Sequence, residues 1–265
     1  MVDLGRYAYG VAAIVLGVSG LAFHDFATAW QPIQALGNNV PNRTLLAEIF
    51  AAGELLGGIG ILWSPTIRIS AVVLGCFYCI SALFWMPRII DFSYIFATWA
   101  GFLQAFALVP PAAILYASTA PFNALWAARL ARFGCTLFGL CVLSFGGNHL
   151  SNISGTASMV PAWIPPGQTF WATVTGCAFI LAGAAILSGM LAVLAARLLA
   201  AMLAVFGLVI WLPRLFEYPQ FHTAWGGNAI NLGIAAAAWI VAESMARPRE
   251  LLVEEQTAAY VRRSL

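Results

Sequence analysis

Glu54 is the residue best placed to do chemistry in this sequence. It stands inside "AEIFAAGELLGGIGILW", residues 47–63, an apolar run whose only other charge is Glu48. An ionisable group in the middle of such a run is expensive to keep in hydrocarbon, so it faces protein, water or a ligand. Gly53, Gly57 and Gly60 form a stripe of small residues beside it, with Glu54 in line with Gly58. A neighbouring helix can approach closely there, which turns the carboxyl inward. Two readings stay open: a structural hydrogen bond between helices, or a proton carrier and ligand-binding group.

The other polar residues gather near the ends of apolar runs. Glu48 lies six residues before Glu54, about 600° around a helix. It therefore occupies a different face, at an entrance. His24 and Asp25 end the first run, and Asn148 and His149 end the fifth, so each half carries an imidazole at its rim. Histidine exchanges protons near neutral pH, although a helix-end histidine without chemistry would look the same. Glu54 and His24 are the best candidates for an acid and base pair, as an isomerase acting on a lipophilic substrate would need. His222, after Glu217, has no partner in the first half. Three histidines and scattered carboxylates show no ligand spacing such as H-x-x-x-H, so no metal site is expected.

Two further positions echo one another. "Trp85-x-Pro87-Arg88" and "Trp211-x-Pro213-Arg214" each close an apolar run. Trp suits the membrane interface, Pro ends the helix and Arg reaches the headgroups, so Arg88 and Arg214 read as anchors. The sharper reading sets each over the mouth of its bundle, paired with Asp91 or Glu217 or holding an anionic ligand. Trp163, with Trp30, Trp85 and Trp211, belongs to an aromatic belt or lines an apolar cavity. Cys76 and Cys79 form a C-x-x-C in mid-run, far from the helix terminus and cations that activate a thiol, and read as packing, with a dithiol as the alternative. No nucleotide-binding loop, hydrolase elbow, haem motif or basic nucleic-acid patch is present in the sequence.

The elements that position these residues follow from composition. Only 8 % of the 265 residues are charged against 62 % apolar, and the mean hydropathy is +0.89, which excludes a water-soluble globule. Eight stretches reach bilayer-crossing length, near 7–24, 44–63, 67–87, 93–117, 132–150, 168–189, 191–212 and 222–243. The fold class expected is all-α, with eight transmembrane helices. With the N-terminus cytoplasmic, nine arginines fall inside and Arg43, Arg88 and Arg214 outside, so both termini are expected in the cytoplasm.

At a shift of 126, Arg6-Tyr7 meets Arg132-Phe133, Gly57 meets Gly183, Trp85-x-Pro87-Arg88 meets Trp211-x-Pro213-Arg214, and Trp99-x-Gly101 meets Trp225-x-Gly227. His24 and His149 pair at 125, and "AWQP" from Ala29 pairs with "AWIPP" from Ala162. A duplicated four-span unit explains the pattern. Its boundaries are 1–120 for the first repeat, 121–131 for a linker, 132–246 for the second repeat and 247–265 for a cytoplasmic tail. An even number of spans makes the copies parallel, forming two four-helix bundles. Ile180 stands where the shift places Glu54, which suggests a polar role kept by the first bundle and a mainly structural second one.

The stretch "GELLGGIGILWSPTIRISAVVL", residues 53–74, together with "MVPAWIPP" from Met159, resembles the DoxX-like family of small four-span bacterial membrane proteins. The resemblance implies a four-helix membrane unit in the bacterial inner membrane, with some members tied to sulfur oxidation, quinone-linked electron transfer or oxidative-stress complexes. Three functions are expected to compete: binding of a small lipid-soluble molecule such as a quinone or lipid, or service as a redox-associated subunit; an enzyme; and a purely structural subunit. No cofactor is evident, a quinone is the candidate, and the partners expected are the bilayer, a lipophilic molecule and a redox protein, with no nucleic acid.

Overall fold

The computed structural model of the chain describes residues 4–37, 40–119 and 123–264, with side chains described as far as Ala246. Eight helices are long and apolar enough to cross a bilayer: α1 (Leu4–Phe23), α2 (Arg43–Leu62), α3 (Ser64–Asp91), α4 (Phe96–Thr119), α5 (Ala124–Ser151), α6 (Gln168–Ser188), α7 (Ala192–Glu217) and α8 (His222–Ala246). The backbone of α8 runs on as helix to Ser264. The side chains of Arg247, Arg249, Arg262 and Arg263 lie outside the described residues, as do residues 121 and 122 of the expected linker. The fifth helix starts earlier than its apolar stretch, because the Asn123 carboxamide accepts from Leu125 N at 2.9 Å and caps it.

Large apolar side chains point outward along these helices, Leu56, Ile69 and Leu181 among them. A surface of that kind is solvated by lipid, and the chain is a multi-pass membrane protein. Between helices the driving force is close packing of small residues. A Cβ at Gly58 would lie 2.7 Å from Gly10 O, and one at Gly146 would lie 2.8 Å from Gly176 O, so these glycines let α1 meet α2 and α5 meet α6 backbone to backbone.

Sequence neighbours pack against each other all the way round, and α8 closes the circuit by packing along α1. The halves therefore share a long seam, with α1 against α8 and α4 against α5. One large core cluster runs through both, including Tyr9 and Leu74 from one half and Phe138, Val142 and Val241 from the other, and a smaller cluster of Phe26, Ile33, Ala47 and Phe84 lies in the first half.

Prolines set the irregularities. Pro110 and Pro111 break α4 at Ala107 and Leu108, and the Tyr9 hydroxyl donates to Leu108 O at 2.7 Å. Pro87 interrupts α3, where Phe84 N bonds both Ile80 O (3.2 Å) and Ser81 O (3.3 Å) in a tightened turn. Pro213 meets the same need in α7 by widening it into a π-helical turn, Gly207–Trp211. Past these points the geometry recurs. Phe92 N bonds Arg88 O and Tyr218 N bonds Arg214 O, both at 2.9 Å. Trp99 Nε1 donates to Ser93 O at 3.0 Å and Trp225 Nε1 to Pro219 O at 2.9 Å. The rings of Trp85 and Trp211 occupy the space a side chain at Gly101 or Gly227 would take.

Candidate functional site

The first half is filled by its own loop. Between α1 and α2 the chain folds inward, so that Phe26, Ala27, Trp30, Gln31 and Ile33 are buried. Phe26 packs edge to face on Phe50 and Phe84, with centroids 5.3 and 5.6 Å away. Gln31 is the tie. Its Nε2 donates to Glu54 Oε1 at 2.8 Å and reaches Ser81 Oγ at 3.4 Å, while its Oε1 accepts from Ala27 N at 3.1 Å. Glu54 is 3 % exposed, so this bond sits among packed helices and holds the loop to α2 and α3. Gln31 was missed in the sequence, where it sits in an outer loop with no periodic signal.

His24 and Glu54 are not brought together. His24 Nδ1 lies 2.8 Å from Glu48 Oε1 at the rim, and Asp25 accepts from Arg43 Nη2 at 2.7 and 2.8 Å and from Nε at 3.0 Å. These pairs tie the end of α1 to the start of α2. An acid and base pair of His24 with Glu54 is thus not formed, because the loop and Gln31 stand between rim and interior. His222 stacks on Phe23, with ring centroids 4.8 Å apart and planes 9° from parallel.

Arg88 and Arg214 do not pair with acids. Among the described residues no ion pair joins Arg88 to Asp91 or Arg214 to Glu217. Arg88 lies over the Trp85 ring at 5.2 Å and Arg214 over the Trp211 ring at 5.5 Å. Helical side chains lean toward the N-terminus, so each Arg reaches back over the Trp three residues earlier. Asp91 and Glu217 are exposed. Trp163 is 76 % exposed and stands outside the cavity described next, whose wall takes Pro161 and Ile164 instead. The five cysteines are free thiols, Cys76 and Cys79 among them.

A cavity lies between the halves, lined mainly by the second. Its volume is about 520 Å³, and it is enclosed by α4 to α8, with Ala29 and Trp30 of the first loop closing one side. Residues of the stretch Asn152–Ile164 line it, and its lining runs from Trp211 to Leu203, about 12 Å along α7. The second half, expected to be mainly structural, is thus the half that contributes most of this cavity's lining. In the first half the corresponding loop turns inward, and its Gln31 reaches Glu54.

Aromatic walls come from Trp30, Phe145, Trp171, Phe179, Phe206 and Trp211. Between them lie Gln104, Asn148, His149, Thr175 and Asn231. His149 packs edge to face on Phe179 at 5.0 Å, and its Nδ1 is 3.4 Å from Thr175 Oγ1. Asn231 Nδ2 donates to Leu203 O at 2.9 Å, and Asn228 Nδ2 to Trp211 O at 2.7 Å, so α8 satisfies carbonyls on both sides of the π-helical turn. The carboxamides of Gln104 and Asn148 make no hydrogen bond among the described residues. Of this group the sequence had singled out His149 as a site residue. Gln104, Asn228 and Asn231 carried a usable signal, polar side chains deep within apolar helices. No group of three or more metal-ligating side chains occurs among the described residues.

No family model matches the chain. No curated protein and no solved structure matches it either.

Proposed function

We propose that this membrane protein binds a small lipid-soluble molecule, a quinone or a lipid, in the cavity between α4 and α8. The observation that carries the reading is the cavity itself. A volume of about 520 Å³ suits a compact head or a folded chain, and aromatic walls with a few convergent polar groups are what small-molecule sites are made of. The carboxamides of Gln104 and Asn148 and His149 Nε2 give it polar groups with no hydrogen bond among the described residues. The proposal includes a bacterial inner-membrane location with both termini cytoplasmic, on the arginine distribution, and descent from a duplicated DoxX-like unit, on the residues quoted above. The recurrent Trp85/Gly101 and Trp211/Gly227 packing supports the duplication.

The test is extraction. Protein purified in mild detergent is extracted with organic solvent and the extract analysed by mass spectrometry, alongside Val209→Trp, which fills the cavity from α7. The reading requires a lipophilic compound enriched with the parent and depleted from the variant. Equal extracts from both would end it.

A further inference from the structure

The cavity has no Asp, Glu, Lys or Arg in its lining, and hydrogen bonds bias the roles of two of its polar groups. Thr175 Oγ1 carries one hydrogen. It lies 2.7 Å from Trp171 O and 3.3 Å from Ala172 O, carbonyls of its own helix, and these take that hydrogen. What Oγ1 offers His149 is then a lone pair, which favours the tautomer with its proton on Nδ1, 3.4 Å away. A neutral imidazole protonated at Nδ1 presents a lone pair at Nε2. Nε2 makes no hydrogen bond among the described residues. Asn231 is oriented in the same manner. One Nδ2 hydrogen goes to Leu203 O at 2.9 Å, which fixes the amide orientation and leaves Oδ1 as an acceptor, with a second Nδ2 hydrogen beside it.

From these assignments we infer that the ligand is an uncharged lipophile bearing a hydroxyl on a flat ring, and that the hydroxyl donates to His149 Nε2. The inference rests on the cavity reading above and narrows its ligand class. A hydroxyl can donate to Nε2 and at the same time accept from the carboxamide of Gln104 or Asn148. A ligand with acceptors alone leaves the imidazole and Asn231 Oδ1 unmet, at the cost of an unsatisfied buried polar group. A charged head finds no counter-charge in the lining and pays its full desolvation there. The ring faces of Trp30, Phe145, Phe179 and Trp211 favour a flat head over an acyl ester. Of the quinone-type molecules, this selects the reduced, hydroxyl-bearing form.

Three probes with one ring and one tail separate the terms: 4-decylphenol, 4-decylanisole and 4-decylbenzoate, titrated into detergent-solubilised protein and followed by tryptophan quenching. The phenol is expected to bind about tenfold tighter than the anisole, a difference of about 1.4 kcal/mol, and the benzoate to show no saturable binding. His149→Phe should bring the phenol-to-anisole ratio close to one without weakening the anisole. Thr175→Val, which releases the imidazole from its favoured tautomer and keeps the side-chain shape, should lower the ratio by a smaller factor and guards against misfolding of the first variant. Equal saturable binding of phenol and anisole would overturn the hydroxyl assignment and leave the cavity reading standing. Tightest binding of the benzoate would overturn neutrality. No saturable binding by any of the three would overturn this inference and count against the cavity reading, on which the extraction experiment decides separately.

Discussion

Trp30 and Trp211 meet edge to face, their ring centroids 5.8 Å apart and their planes at 64°. The contact joins the loop that fills the first half to the π-helical turn of the second, which borders the cavity. Trp85 holds the same loop from the other side, donating from Nε1 to Trp30 O at 3.3 Å. A side chain that plugs one half is therefore also a wall of the site.

Trp30→Ala should act on both. Removing a buried aromatic ring costs about 3–5 kcal/mol, of which an edge-to-face pair supplies about 0.5–1.5 kcal/mol. Thermal unfolding in detergent should show a clear loss of stability, with weaker retention of the extracted lipophile, and Trp30→Phe should recover most of both. A Trp30→Ala protein with parental melting and retention would show that the loop does not depend on this ring.

The bond between Gln31 and Glu54 predicts a graded series. Glu54→Leu strands the Gln31 carboxamide in a dry interior and should cost about 1–3 kcal/mol. Glu54→Gln keeps an acceptor oxygen within reach and should cost less than half of that. In Gln31→Leu the Glu54→Leu change should lose most of its effect, since the partner is already gone. Additive losses in this cycle, measured by chemical or thermal unfolding, would show that the two side chains do not act as a pair.

Gly101 and Gly227 occupy equivalent positions under Trp85 and Trp211, but only Gly227 and Trp211 border the cavity. Alanine at either site must displace an indole, an overpacking cost of about 1–3 kcal/mol. Both variants should melt earlier by similar amounts. Only Gly227→Ala should change probe affinity, by moving a wall of the site. An affinity change in Gly101→Ala as large as that in Gly227→Ala would mean that the effect travels through general loosening.

Topology is tested by labelling. In a cysteine-free background, Ser264→Cys and Gln220→Cys should react with an impermeant maleimide from opposite sides of the membrane, Gln220→Cys from the periplasm. Both reacting from one side would rule out eight crossings with this arrangement.

The number of spans and their approximate limits were legible in the sequence because apolar length is a local property, and a bilayer asks for little else. That the Trp-x-Pro-Arg prolines disturb their helices was legible for the same reason, since proline withholds an amide wherever it stands, but the helices run on past them to Asp91 and Glu217 instead of ending there. Glu54 declared itself by its cost, an acid inside "AAGELLGG" having to face something other than lipid. What it faces could not be read, because Gln31 reaches it only when the first loop folds inward, and loop conformation has no periodic signature. Nor could the sequence assign most of the cavity's lining to the second half. That depended on the first loop turning inward, and on a proline relieved by a tight turn in α3 and by a π-helical turn in α7. The roles of His149 Nε2 and Asn231 Oδ1 were fixed later still, by hydrogen bonds to Thr175 and to a backbone carbonyl that exist only once α5 meets α6 and α8 meets α7.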